Sequence, residues 1–451
     1  MLDQSGERAV VLGGGMAGLL AARVLSEAYA DVVVVDRDEL SDVTDFRSGV
    51  PHGRHAHCLV ARGHQIFEEL LPGLTKGMSD AGVTIGDFNG AIQWNFNGHR
   101  LAASDSGLTC VSSGRPILEQ HVRMHVQALP NVRFLERHDI VGLETTPDNQ
   151  RVTGARIQRR EPGSEPEVLS ADLVVDITGR GSRMPAWLSE LGYEAPPEDK
   201  IKVDLAYTTR HYRFKSNPFT KDVAINQAAT PAFPRGVFCY LLPDGETVEL
   251  SLTGVLGDHA PTDPEGFLEY IKSLPLPDHY EFVRDAEPVD EPVRFKFPAS
   301  VWRHYEQLTS FPDGLLVMGD AVCSFNPVYA QGMTVAGMEA LTLRKHLQSP
   351  APLNAMGFFG EIAGQIAGPW QFSAIADLGY PGVEGDRTDE IRLVNQYIPA
   401  VLAAAAQDPV VTDAFLRVAG LVEEPMSLMR PDIARRVGQA MRNSGRQQAT
   451  A

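Results

Sequence analysis

One short stretch near the N-terminus constrains this chain more than any other. The apolar run Ala9–Leu12 leads straight into Gly13-Gly14-Gly15-Met16-Ala17-Gly18, and Met16 to Ala28 then carries Leu19, Leu20, Val24 and Leu25 at helical spacing. A second apolar run, Val32–Val35, ends at Asp36. Strand, glycine turn, helix, strand and acid, in that order, specify a βαβ unit of the dinucleotide-binding kind. Each glycine has its own task. Gly13 permits the tight turn, Gly15 lets backbone approach a pyrophosphate, and Gly18 lets the helix lie close to the sheet. The helix start, at Ala17, offers N–H groups and the positive dipole end to phosphate. Asp36, with Arg37 beside it, is placed to accept hydrogen bonds from ribose hydroxyls.

The remaining segments extend this unit. Strands are predicted over 140–145, 151–159 and 169–175, and helices over 64–71 and 117–129. From about 187 to 300 the pattern changes to alternating runs rich in β-branched and aromatic residues, such as Val203–Phe214 and Thr247–Leu256, with Pro243-Asp244-Gly245 as a hairpin turn. Leu315–Met318 resumes the buried-strand pattern, and a long helix follows from about Thr334. The predicted fold class is therefore α/β. A Rossmann-like dinucleotide-binding domain (1–186 and 301–346) is interrupted by a β-rich substrate domain (187–300) and followed by a helical C-terminal region (347–451). At 451 residues the chain is long enough for such lobes.

Two further motifs carry chemistry. Gly319-Asp320-Ala321 closes a strand and leads through Asn326-Pro327-Val328-Tyr329-Ala330-Gln331-Gly332-Met333 into a helix. Asp320 can bind a ribityl hydroxyl, and the helix start at Gly332 and Met333 can point N–H groups at an electron-rich ring edge. Asp176-Ile177-Thr178-Gly179-Arg180-Gly181-Ser182 closes another strand.

In this order the three motifs resemble the FAD-dependent monooxygenases related to para-hydroxybenzoate hydroxylase. The resemblance is closer to an actinobacterial subgroup that includes polyether-type epoxidases, through Val50–His57, Arg115–Glu119, Asp176–Arg183, Gly319–Met333 and Asp377–Pro381. It implies bound FAD, with Arg115 near the diphosphate and ribityl chain and Arg54, His55 and His57 near the cofactor. Both arginines are cations able to offset a diphosphate. It also implies reduction by NADPH or NADH and oxygen transfer from a flavin C4a-hydroperoxide to a large apolar polyketide-type intermediate. The same family includes redox-neutral, flavin-containing cyclases that form dialkyldecalins by [4+2] chemistry with structural FAD, which is the alternative reading. Halogenases are weaker, because no Trp-x-Trp pair exists among Trp94, Trp187, Trp302 and Trp370. One departure bears on oxygen chemistry: Ala330 stands where the subgroup has glycine, so either the backbone tolerates Ala or the oxygen site is altered.

The cofactor-binding set is thus Gly13, Gly15, Ala17, Gly18, Asp36, Arg37, Arg54, Arg115, Asp320, Gly332 and Met333, with no catalytic residue assigned and no metal. Tyr207, Tyr212, Phe238 and Tyr240 suit either an apolar substrate or simple sheet core. The formal charge of −18 argues against nucleic acid and anionic membrane as partners. The four cysteines, Cys58, Cys110, Cys239 and Cys323, are far apart in sequence and form no CxxC pair, which favours a reducing, cytoplasmic setting. No basic leader precedes the first strand. A homodimer is compatible with the sequence.

Overall fold

A computed structural model describes residues 6–219 and 222–448. Its centre is a five-stranded parallel sheet in the order Leu315–Val317, Leu173–Asp176, Gly6–Leu12, Tyr29–Val35 and Val132–Leu135. Val32–Val35 and Ala9–Leu12 are fully buried, as expected of strands covered on both faces. The first helix, Met16–Leu25, packs on this sheet and against the helix Gly332–Leu347. The predicted strand 169–175 is two pieces, Glu167–Ser170 and Leu173–Asp176. The first joins an antiparallel sheet with Val152–Arg159 and His138–Thr145, and only the second enters the parallel sheet.

The β-rich lobe is an eight-stranded sheet. Its long strands, Leu205–Arg213, Thr247–Gly254 and Arg235–Leu241, are antiparallel neighbours in register, with Thr209 opposite Ser251 and Cys239 opposite Leu250. The helix Pro264–Lys272 starts as its sequence suggests, with the Asp263 carboxylate accepting the Gly266 N–H at 2.8 Å. This sheet does not begin at 187, however. Ile92–Phe96 pairs in parallel with Ala224–Gln227, and His99–Arg100 extends the edge. A segment from the N-terminal half is thus built into the second lobe.

The C-terminal region contains the helices Ala355–Leu378, Asp389–Ala405, Pro409–Ala419 and Pro431–Gln448. Val401, Leu402, Phe415 and Leu428 share a core with Ile92, Phe88 and Tyr240. The Phe415 ring meets Phe96 edge-on, with centroids 5.3 Å apart. The helices therefore close over the far side of the β-rich sheet. Among the described residues no helix is long and apolar enough to cross a membrane.

Candidate functional site

A cavity of about 700 Å³ lies at the carboxyl ends of the parallel strands, where the βα turns of such sheets gather. Gly13 turns the chain with φ +108°, and a Cβ there would sit 2.5 Å from the Ile177 carbonyl oxygen. A Cβ on Gly18 would lie 1.9 Å from the Gly13 oxygen. Gly18 is thus a packing residue beneath the turn, outside the cavity lining. Gly15 is different: a Cβ there would meet nothing within 4 Å, and the residue lines the cavity beside Ala17. Gly15 is also the helix N-cap, with no side chain to satisfy first-turn N–H groups.

Asp36 and Arg37 line the same cavity. The Asp36 carboxylate accepts the Gly14 N–H at 2.6 Å and the Asp38 N–H at 2.8 Å, so it also holds the glycine turn in shape. Burial pushes its carboxyl up, opposed by Arg47 and the two N–H groups. Arg37 is exposed at the rim, 3.6 Å from Asp139.

Arg115 lines the cavity and is buried. Its Nε donates to Glu119 at 3.0 Å, and Glu119 also takes Arg47 Nε at 2.9 Å and lies 3.5 Å from Arg123. Arg54 stands apart. It is exposed, its guanidinium is 4.5 Å from the centroid of Phe46, and it does not line the cavity. Arg47, which the sequence reading passed over, lines it instead. His52, His55 and His57 are also in the lining. Burial, with Arg115, pushes His52 down to about 3, and burial, with Arg54, pushes His55 down to about 4. These rings enter as neutral groups.

Asp176 does not face a ligand with a spare group: its oxygens accept from Thr178 N–H, Thr178 Oγ and Ser182 Oγ, fastening the turn after its strand. The turn itself sets Thr178, Gly179 and Arg180 into the cavity. Asp320, Gly332 and Met333 complete the wall on the opposite segment. Gly319 takes φ +64°, and its N–H donates at 2.6 Å to Glu339, which is fully buried. Burial pushes this carboxyl up to about 8, with Asp320 adding to the rise and the Gly319 N–H opposing it. A raised folded-state pKa means that Glu339 contributes stability fully below the ordinary glutamate range and loses it as pH climbs toward about 8. Glu339→Gln is therefore expected to melt progressively higher than wild type across that interval in thermal scans. A constant offset would refute the assignment.

Ala330 adopts the left-handed conformation, φ 54° and ψ 28°. The glycine-type backbone is thus kept with an alanine in it. Left-handed geometry costs a non-glycine residue about 1–2 kcal/mol, and glycine gives back about 0.4–1 kcal/mol through unfolded-chain entropy. Ala330→Gly is expected to stabilise the fold by about 0.5–1 kcal/mol in denaturant titrations. Gln331, next in line, is fully buried with neither amide atom partnered, and it lines the cavity.

A second cavity of about 500 Å³ lies between the β-rich sheet and the C-terminal helices. Phe88, Trp94, Phe96, Phe372 and Phe415 line it, as do Tyr207, Phe238 and Tyr240, whereas Tyr212 belongs to a separate core. Ala56, His57, Cys58, Tyr207, Pro327 and Ala330 line both cavities. Strand Thr109–Gly114 pairs with both Ala56–Leu59 and Ile85–Asp87, which brings the free thiols of Cys58 and Cys110 to 2.9 Å.

Residues 7–211 match the family model described as FAD binding domain. Protein Rv3254 of Mycobacterium tuberculosis is 34% identical over 439 residues, spanning 92% of this chain and 90% of that protein. The chain belongs to the same family as Protein Rv3254, and its N-terminal part is an FAD binding domain. The flavoprotein shares its fold with the flavin-dependent brominase Bmp2, at TM-score 0.68 and 15% identity, covering 98% of this chain and all of that one. It is similar also to pqsL, a probable FAD-dependent monooxygenase from Pseudomonas aeruginosa, at TM-score 0.60 and 15% identity over 90% of this chain and all of that one.

The cavity of the flavoprotein fits FAD by its own chemistry. Gly15 leaves the space a side chain would fill, and helix starts at Met16 and Gly332 have no side-chain cap. Arg47 and Arg115 supply cations, and Gln331 offers an unused amide.

Proposed function

We propose that this flavoprotein is an FAD-dependent monooxygenase that epoxidises or hydroxylates a large apolar polyketide-type intermediate. The observation that carries the reading is the common wall: the cofactor cavity and the aromatic cavity meet at His57, Tyr207, Pro327 and Ala330. Bound FAD, reduced by NADPH or NADH, supplies the electrons that activate molecular oxygen. The residues of the chain do the rest. Gly13–Ala17 and Arg115 would hold the diphosphate, Asp36 the ribose and Asp320 the ribityl chain. The Asn326–Gly332 loop orients the ring, and the aromatic lining excludes water from the reacting face. The neutral imidazole of His57 adds no charge to that wall.

The test is labelled oxygen. With NADPH or NADH, air and an apolar polyene or arene substrate, one atom from ¹⁸O₂ is expected in the product, and nicotinamide oxidation is expected to rise with substrate. Ala330 keeps a methyl group in the passage between the cavities, which favours a redox-neutral cyclase as the second reading. Product formed without air or reductant, from protein with oxidised FAD, would establish that one instead.

A further inference from the structure

Asp377 ends the long helix Ala355–Leu378 and lines the apolar cavity. It is 1% exposed. One carboxyl oxygen accepts from Asn326 Nδ2 at 2.8 Å and Tyr329 OH at 2.9 Å. The other oxygen is buried and has no partner. Leaving such an atom unpaired costs about 1–3 kcal/mol, and none of the polar side chains that share the cavity lining, Asn226, Gln371, Glu390 and Asn395 among them, bonds to it. Asn326 and Tyr329 flank Pro327 and precede Ala330, which line both cavities. A group bonded to Asp377 is therefore held one short loop away from the cofactor.

We propose that Asp377 is a substrate-positioning residue: its unpaired oxygen hydrogen-bonds the carbonyl oxygen of an otherwise apolar, ring-bearing substrate and turns that substrate toward the flavin loop. This inference rests on the reading of the aromatic cavity as the substrate site. Burial pushes the carboxyl up to about 7, with Tyr329 and Asn326 opposing. The acid form carries the proton that a carbonyl needs, so the bond is present below that pH and lost above it. Its ionisable neighbours are Tyr329 in the flavin loop and Tyr380 in the following turn, both pushed up by burial and by Asp377 itself. Tyr207, on the sheet, acts on Tyr329, while Glu390 and Glu424 also line the cavity.

The experiment uses the full-length holoprotein and two probes of matched shape, 2-acetylnaphthalene and 2-isopropylnaphthalene, with binding followed by perturbation of the flavin spectrum. Wild type is expected to prefer the ketone by about tenfold in mildly acidic buffer and to lose the preference on titration to alkaline pH. Asp377→Ala should lose the pH dependence of the ketone preference, with affinities compared per bound FAD because the substitution also strips Asn326 and Tyr329 of their acceptor. Asp377→Asn keeps a donor and should prefer the ketone at all pH values. The proposal fails if a pH-dependent preference survives in Asp377→Ala, if Asp377→Asn retains the pH dependence (which would then belong to Glu390 or Glu424), or if wild type binds both probes alike. Failure of both probes to bind at any pH would instead remove the cavity as the substrate site, and the anchor with it.

Discussion

Adding one methyl group at Gly18 is expected to cripple the fold, while a larger addition at Gly15 is expected to spare the fold and remove the cofactor. In Gly18→Ala the new Cβ falls 1.9 Å from the Gly13 carbonyl oxygen. Neither backbone can yield, because Gly13 N–H donates to Val35 O at 2.8 Å and the helix lies over fully buried Leu12 and Val11. The cost belongs at or above the upper end of overpacking, about 3 kcal/mol. The Cβ of Gly15→Val meets nothing within 4 Å beyond its own chain neighbours, and the residue sits at an ordinary negative φ of −75°. Its apoprotein should melt within about 0.5 kcal/mol of wild type. Flavin titration should nevertheless show affinity reduced on the order of 100-fold, or about 2.7 kcal/mol, because the side chain takes the space a pyrophosphate needs. Equal FAD binding by Gly15→Val and wild type would refute the placement of the diphosphate.

The second large effect is expected at Glu119. Its carboxylate is 3% exposed and is shared by Arg47 and Arg115, with Arg123 nearby. Burial alone would push this carboxyl up, but Arg115 and Arg47 overcome it and hold it below the ordinary glutamate value. Glu119→Ala leaves buried guanidiniums facing one another, and removing one partner of a buried ion pair costs about 3–5 kcal/mol. FAD should be lost as well, since Arg47 and Arg115 are set at the cavity by this one group. Glu119→Gln, which keeps the shape and one acceptor oxygen, should fall between. The depressed pKa also fixes the sign of the pH effect. The contribution of Glu119 is present above the ordinary glutamate range and disappears as pH drops through its folded value. Glu119→Ala should accordingly be the less acid-sensitive protein in denaturant titrations below that range.

The N-terminal βαβ unit was legible because its signal is local: glycine spacing, two apolar runs and a terminal acid are all read within one stretch of chain. Arg47 was not, since a lone arginine in a loop gains meaning only from Asp36, Asp38 and Glu119 arriving around it. Arg54 had the motif but not the position; a cation–aromatic contact with Phe46 occupies it at the surface. Gln331 stood inside a quoted motif, yet nothing in sequence shows that its amide is buried and unanswered. Glu339 stands four residues from both Val335 and Leu343, on the buried face of its helix, but only the fold reveals its bond to Gly319. Likewise no pattern places Cys58 against Cys110, because their approach depends on the register between two strands some fifty residues apart, with Cys58 opposite Ser112.

The strand Ile92–Phe96 has a consequence for engineering. It crosses from the first half of the chain to complete the second lobe, and Phe96 also supports the helix bearing Phe415. Residues 187–300 therefore cannot be transplanted as a self-sufficient cassette. A chimera that grafts only that interval from a relative would set a foreign strand in place of Ala224–Gln227 against this chain's own Ile92–Phe96 and terminal helices, with neither side matched to the other. Recombination breakpoints that respect the architecture must carry 92–100 and the C-terminal helices along with the exchanged lobe.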